Sequence, residues 1–160
     1  MKKIIDFNHI SSDLSAEEVE KLKRWFTYYH KLCTCYKWGY KRAKKTRLIL
    51  NMASIGLTSM GIIIGSAIMN PIVIGVLSGT GILIQGYTAK SKLPSKVEEC
   101  KFAYTSYQKV LTQLRSYLRG LPYDSATLLS DLKVLDDIVT DLCPPVNGMS
   151  IRYDKIYGNV

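Results

Sequence analysis

The most conspicuous absence in the sequence is charge over one long stretch. Between Arg47 and Lys90 there is no Asp, Glu, Lys or Arg in 42 consecutive residues, 48–89. The chain as a whole is 22% charged, which is close to the average for soluble domains, so charge is segregated along the chain. This segregation excludes a soluble globule with an evenly patterned surface. Intrinsic disorder is excluded as well, because apolar residues are too abundant and too clustered.

Residues that carry catalytic or metal chemistry are also scarce. The only two histidines are His9 and His30, and neither belongs to a nucleophilic or acid–base constellation. Cys33 and Cys35 are not accompanied by the second pair of closely spaced ligands that a structural zinc site needs. The glycines of the middle region form no phosphate-binding loop. We therefore predict that the protein is not an enzyme and has no metal site, no cofactor and no small-molecule substrate.

The uncharged region is long enough to cross a membrane twice. As a helix it would extend roughly 63 Å, whereas one hydrocarbon core is about 30 Å thick. Asn70 and Pro71 divide it, since Asn is a good N-cap and Pro fits the first turn of a helix. We predict an all-α integral membrane protein with a two-span transmembrane hairpin over 48–89, its turn at 69–71. The alternative, a hairpin buried inside a soluble protein, leaves too little chain to cover it.

The flanking charges predict the orientation of the two spans. Five basic residues precede the first span, three follow the second, and the turn has none. By the positive-inside rule, both termini of this two-pass membrane protein are expected in the cytoplasm.

Small and weakly polar residues recur along both spans. The small-xxx-small pairs Gly61/Gly65 and Gly75/Gly79 predict close helix packing, within the hairpin or between copies of the chain. The second interpretation is that weakly polar residues line a water-filled path in an oligomer. Its candidate pore-lining residues are Asn51, Ser54, Thr58 and Gln85. Since the spans contain no Asp, Glu, Lys, Arg or His, such a path would be weakly selective.

The regions outside the spans show helical periodicity. Two sets of residues follow alternating spacings of three and four, and each set is called a seam here. The first seam consists of Val19, Leu22, Phe26, Tyr29, Cys33, Tyr36 and Tyr40, and the second of Val97, Cys100, Tyr104, Tyr107, Leu111, Leu114 and Leu118. We predict a mobile N-terminal segment over 1–14, a basic amphipathic helix over 15–47, a cytoplasmic helical region of amphipathic or coiled-coil helices over 95–143, and a C-terminal tail over 144–160. The aspartates of the last helix are expected to face basic residues of the first.

Residues 31–47 contain seven basic side chains and no acidic one, interleaved with aromatic residues. Such a composition can bind nucleic acid or a protein partner, but beside a membrane span it is typical of anchoring to anionic lipid headgroups. We favour lipid. The predicted headgroup contacts are Lys37, Trp38, Lys41, Arg42, Lys44, Lys45, Arg47, Lys90 and Lys92.

This organisation resembles the SLATT superfamily of two-transmembrane effector domains. The resemblance covers roughly residues 15–120 and rests on Tyr36-Lys37-Trp38 and the basic run 41–45, on the glycine-rich spans split at Asn70-Pro71, and on the long helix that follows. It implies a homo-oligomer that permeabilises a bilayer, and we predict a pore-forming or membrane-permeabilising effector. The alternative is a non-enzymatic structural or scaffolding membrane protein, similar to the short hydrophobic proteins of viruses with internal membranes or envelopes.

Overall fold

The computed structural model describes residues 10, 14–68, 70–143 and 151–155, apart from the side chain of Ser125. Four helices make up most of this part of the chain: α1 (Ala16–Ile68), α2 (Pro71–Lys90), α3 (Leu93–Leu118) and α4 (Ser125–Leu142). No strand occurs in the described ranges, so the all-α prediction is confirmed. Almost all of the predicted mobile segment 1–14, and the predicted tail except 151–155, lie outside the described residues.

Helix α1 begins at a capping box formed by Ser15 and Glu18. The backbone N–H of Ser15 donates to the Glu18 carboxylate at 3.0 Å, and the Glu18 N–H donates back to Ser15 Oγ at 3.3 Å. The Ser15 hydroxyl also donates to this carboxylate, at 2.8 Å, and together with the bond from the Ser15 N–H it holds the pKa of Glu18 below its ordinary value. Each bond satisfies a backbone donor that the first turn of a helix leaves unpaired. With no proline before Pro71, α1 then runs uninterrupted for 53 residues.

Helix α2 begins as its sequence predicts. The N–H of Ile72 donates to Asn70 Oδ1 at 3.0 Å, and Pro71 occupies the first turn. Proline is tolerated there because its missing N–H would have no partner within the helix. The N-cap prediction for Asn70 is confirmed.

Helix α3 begins earlier than the sequence pattern indicates. The predicted helical region starts at residue 95, but α3 begins at Leu93, and Pro94 lies inside its first turn. A first-turn proline breaks no helical hydrogen bond, so the helix includes it. At the other end Gly120 adopts a φ of 94°. This left-handed conformation suits glycine and ends α3.

The chain divides into two compact units. Unit 1 consists of Met1–Gly39 and Glu99–Val160, and its core is formed by buried residues of α1, α3 and α4. Its most deeply buried large side chains are Leu22, Phe26, Tyr107, Leu114, Val139 and Tyr153. Tyr153 belongs to a short helical segment, 151–155, and is fully buried. Each such side chain contributes about 1.5–3 kcal/mol through burial.

Unit 2 consists of Tyr40–Glu98 and contains the uncharged region. The apolar part of α1 and the whole of α2 are each long and apolar enough to cross a membrane. Within the most apolar 18-residue stretch of each helix, only 17% and 11% of the residues are buried by the rest of the chain. A core helix of a soluble protein would be mostly buried. Isoleucines therefore stand exposed along both helices, including Ile63 at 67% and Ile72 at 72%.

Candidate functional site

The contact between α1 and α2 is the first candidate site, and its centre is Gly81. The hydroxyl of Ser54 donates to the Gly81 carbonyl at 2.9 Å, and the hydroxyl of Thr58 donates to the Ser54 carbonyl at 2.9 Å. A Cβ on Gly81 would lie 2.9 Å from the Ser54 carbonyl oxygen. The missing side chain is therefore what allows the two backbones to approach closely. Sequence reasoning did not single out Gly81, because it belongs to neither small-xxx-small pair.

Gly61 and Gly65 continue the same contact towards the start of α2. A Cβ on Gly61 would lie 2.9 Å from the backbone nitrogen of Ser78, and one on Gly65 would overlap the side chain of Ile74. Residue numbers rise along α1 as they fall along α2, so the two helices are antiparallel here. The Ser78 hydroxyl is buried in this contact and has no hydrogen-bond partner among the described residues. Both glycines of this predicted packing pair thus lie against α2.

Gly75 and Gly79 lie on a different side of α2. A Cβ at either position would meet no atom within 4 Å. Gly79 precedes Gly81 by two residues, which is roughly 200° around a helix. Gly75 precedes Gly81 by six residues, which places it roughly 120° around the helix from Gly81. The surface of Gly75 and Gly79, called here the open glycine face, is therefore directed away from the side that contacts α1.

The four predicted pore-lining residues fall into two groups. Ser54 is buried and Thr58 is half-buried, and both hydroxyls donate to backbone carbonyls within the chain. Asn51 and Gln85 are exposed. Unpaired amide groups are costly in hydrocarbon, so in a membrane these two side chains need water or a polar partner from outside the chain.

The predicted headgroup contacts are nearly all exposed. All eight basic residues of this set are exposed: six of them lie on α1, and the other two are Lys90 and Lys92. Trp38 is half-buried. The guanidinium of Arg152 lies 5.1 Å from the centre of the Trp38 ring, a cation–π contact. Within the described ranges, none of the eight basic groups forms an ion pair with a carboxylate. Their charge therefore remains available to an external anionic surface.

A buried polar network in unit 1 escaped the sequence analysis. The hydroxyls of Tyr29 and Tyr107 donate to the two carboxylate oxygens of Asp136, at 3.1 and 2.9 Å. Burial, followed by the charge of Asp136, raises the pKa values of both tyrosines. Burial raises the pKa of Asp136 itself, against the lowering effect of the two hydrogen bonds.

For Asp136 this network corrects the expectation that the aspartates of α4 face basic residues of α1, since its carboxylate accepts hydrogen bonds from two tyrosine hydroxyls. The sequence did contain a signal, because Tyr29 and Tyr107 occupy apolar seam positions of α1 and α3. A buried tyrosine hydroxyl needs a hydrogen-bond partner, and an aspartate near the apolar stripe of α4 can supply it.

No group of three His, Cys, Asp or Glu side chains that could hold a metal ion occurs in the described part of the chain. Comparisons with protein-family models, with curated proteins and with solved structures find no match to this sequence.

Proposed function

We propose that the protein is a two-pass membrane protein that self-associates and permeabilises the bilayer. The observation that carries the proposal is the exposure of α2. One side contacts α1, while the other side presents the open glycine face among exposed isoleucines. In lipid, small residues on a helix surface promote association by allowing close backbone contact. The resemblance to SLATT domains agrees with such an assembly.

The polar residues of unit 2 support the same proposal. Asn51 and Gln85 are exposed on helices that we assign to the hydrocarbon core. An amide group in lipid gains hydrogen bonds when another copy of the chain, or water enclosed by several copies, approaches it. Two helices are too few to enclose a channel, so a conducting path requires several subunits.

The basic segment of α1 supports the proposed orientation. Lys41, Arg42, Lys44, Lys45 and Arg47 are exposed immediately before the first proposed span. Each contributes about 1 kcal/mol at an anionic membrane surface. Both termini are then on the cytoplasmic side, where such lipids are enriched.

One observation favours a second candidate, a non-conducting scaffold. The hydroxyls of Ser54 and Thr58 are occupied by backbone carbonyls of their own chain. Fewer polar groups are then left to line a water-filled path. A scaffold would use the same helices and the same open glycine face without conduction.

Dye release from liposomes, combined with measurement of subunit number in detergent, tests the proposal. We expect discrete oligomers and release of dye from vesicles that contain anionic lipid. Gly79→Leu should reduce both oligomer formation and release, because the added side chain separates the facing helices. Gly56→Leu is the matched control, since a Cβ at Gly56 also meets no atom within 4 Å but lies on α1.

Discrete oligomers that release no dye at any lipid ratio would contradict permeabilisation and support the scaffold. Equal effects of Gly79→Leu and Gly56→Leu would contradict the assignment of the open glycine face as the assembly surface.

A further inference from the structure

Two cysteine thiols lie together in the core of unit 1. Cys100, near the start of α3, and Cys143, the C-cap of α4, have their Sγ atoms 3.5 Å apart. They are separated by 43 positions in the sequence, and their exposed fractions are 2% and 3%. The fold therefore brings together two thiols from distant parts of the chain.

The surroundings hold both thiols in position. The Cys143 N–H donates to the Val139 carbonyl at 2.8 Å, and the Cys143 carbonyl accepts a hydrogen bond from the Tyr36 hydroxyl at 2.6 Å. On the other side, Cys100 Sγ lies 3.5 Å from the position of a Cβ on Gly39. A disulfide needs the sulfurs to approach by roughly 1.5 Å, to about 2.05 Å. Side-chain rotation can supply part of that movement without unfolding either helix.

The other two cysteines have different environments. Cys33 Sγ is directed to the Tyr104 carbonyl at 3.9 Å, and burial raises the pKa of Cys33 to about 11. Burial also raises the pKa of Cys35, which is half-buried beside Lys31 and Asp154. These two residues therefore provide internal controls within the same unit.

We propose that Cys100 and Cys143 form a reversible redox pair, which closes to an intramolecular disulfide when the protein meets a low-molecular-weight disulfide such as oxidised glutathione. One protein thiol loses its proton and attacks the oxidant, forming a mixed disulfide and releasing one glutathione thiolate. The second protein thiol loses its proton and attacks the protein sulfur of that mixed disulfide, releasing the second glutathione. Two electrons and two protons pass from the protein to the oxidant, which becomes two thiols.

Cys143 is the residue that reacts first with the oxidant. Both thiols are buried, so the first exchange requires local opening, and helix ends open more easily than helix interiors. Cys143 ends α4, whereas Cys100 lies within α3. Opening the last turn of α4 breaks the hydrogen bond from Tyr36 to Cys143. We therefore expect Tyr36→Phe, which removes that bond, to accelerate disulfide formation by about fivefold.

The test uses the full-length protein in detergent, incubated with glutathione buffers of increasing oxidised fraction, then denatured and alkylated. Intact mass spectrometry should show a species that has lost two hydrogens and has two unreactive cysteines. Peptide mapping should identify a Cys100–Cys143 link that dithiothreitol reverses. Cys33→Ser with Cys35→Ser should leave the link unchanged, and Cys143→Ala should abolish it while circular dichroism remains that of the wild-type protein.

Because peptide mapping of the wild-type protein needs no variant, the result does not depend on whether a cysteine variant folds. Glutathione adducts that never resolve, a link that involves Cys33 or Cys35, or a link only between two chains would overturn the proposal. An unchanged rate in Tyr36→Phe would overturn the assignment of Cys143 as the first residue to react.

Discussion

Replacing Gly81 by alanine tests the α1–α2 contact most directly. The new Cβ would lie 2.9 Å from the Ser54 carbonyl oxygen and 3.1 Å from the Thr58 backbone nitrogen. Because both atoms belong to the backbone, rotation of a side chain cannot remove the overlap, and the helices must separate. Separation also weakens the hydrogen bond from Ser54 to Gly81.

The expected magnitude follows from three contributions. Overpacking costs about 1–3 kcal/mol, and loss of an interhelical hydrogen bond in a membrane costs about 1 kcal/mol. Alanine recovers up to about 1 kcal/mol over glycine through helix propensity. Gly81→Ala should therefore lower the free energy of unfolding by about 1–3 kcal/mol. Gly56→Ala, which meets no atom within 4 Å, should be neutral or raise it by up to about 1 kcal/mol.

Unfolding by sodium dodecyl sulfate in mixed micelles, followed by circular dichroism, measures both variants against the wild-type protein. The two substitutions are chemically identical and differ only in what the added methyl group meets. If they shift the unfolding midpoint equally, the close approach of α1 and α2 at Gly81 does not exist in the folded protein, and the reasoning fails.

Three further predictions concern unit 1 and the basic segment. Tyr107→Phe removes a hydrogen bond that lowers the pKa of Asp136, so this pKa should rise further above its ordinary value. The free energy of unfolding should fall by about 1–3 kcal/mol. An unchanged titration of the Asp136 carboxyl group by NMR would refute this prediction. The folded-state pKa of Asp136 is raised, so the contribution of Asp136 to stability is fully present below the ordinary aspartate pKa and is lost as pH rises through the raised value. Asp136→Asn should therefore flatten the dependence of the free energy of unfolding on pH between the ordinary and the raised pKa. Lys44→Gln with Lys45→Gln should weaken association with anionic vesicles by about fivefold for each charge removed, as measured by flotation. The control Lys133→Gln, on α4, should have no effect. Equal losses of association in the two variants would contradict headgroup binding by α1.

Local signals in the sequence indicate where α1 and α2 begin. The Ser15–Glu18 capping box and the Asn70 N-cap are interactions over two or three residues, so the sequence contains both partners side by side. Most seam positions of α1 and α3 are also buried, because burial of a helix face follows directly from its periodicity, whereas Val19, Tyr40 and Tyr104 are half-buried.

The contacts between distant segments were harder to predict. Two such contacts depend on how three helices are arranged in unit 1: the one between Asp136 and Tyr107, and the one between Cys100 and Cys143. Tyr153 lies in a region predicted as a tail, yet it is buried in the core. A single tyrosine has no periodicity, so nothing in the local pattern distinguishes a buried one from an exposed one.

The packing partners of the glycines were also not predictable from the sequence. Their spacing indicated close packing but could not say against which partner. In the structure Gly61, Gly65 and Gly81 face the neighbouring helix of the same chain, whereas Gly75 and Gly79 face outward. Spacing alone cannot separate these groups, since both contain pairs four residues apart.

This division allows folding of the chain to be separated from its assembly by experiment. A bulky substitution at Gly81 should disrupt the α1–α2 contact and, through it, any assembly that depends on that contact. A bulky substitution at Gly79 should leave the contact intact and act only where two copies meet. If the Gly79 variant keeps wild-type unfolding in mixed micelles but loses its oligomers, the open glycine face is an assembly surface. If instead both variants unfold early, α2 contacts α1 through a different side from the one described here, and the assembly surface must be sought elsewhere, beginning with the exposed amides of Asn51 and Gln85.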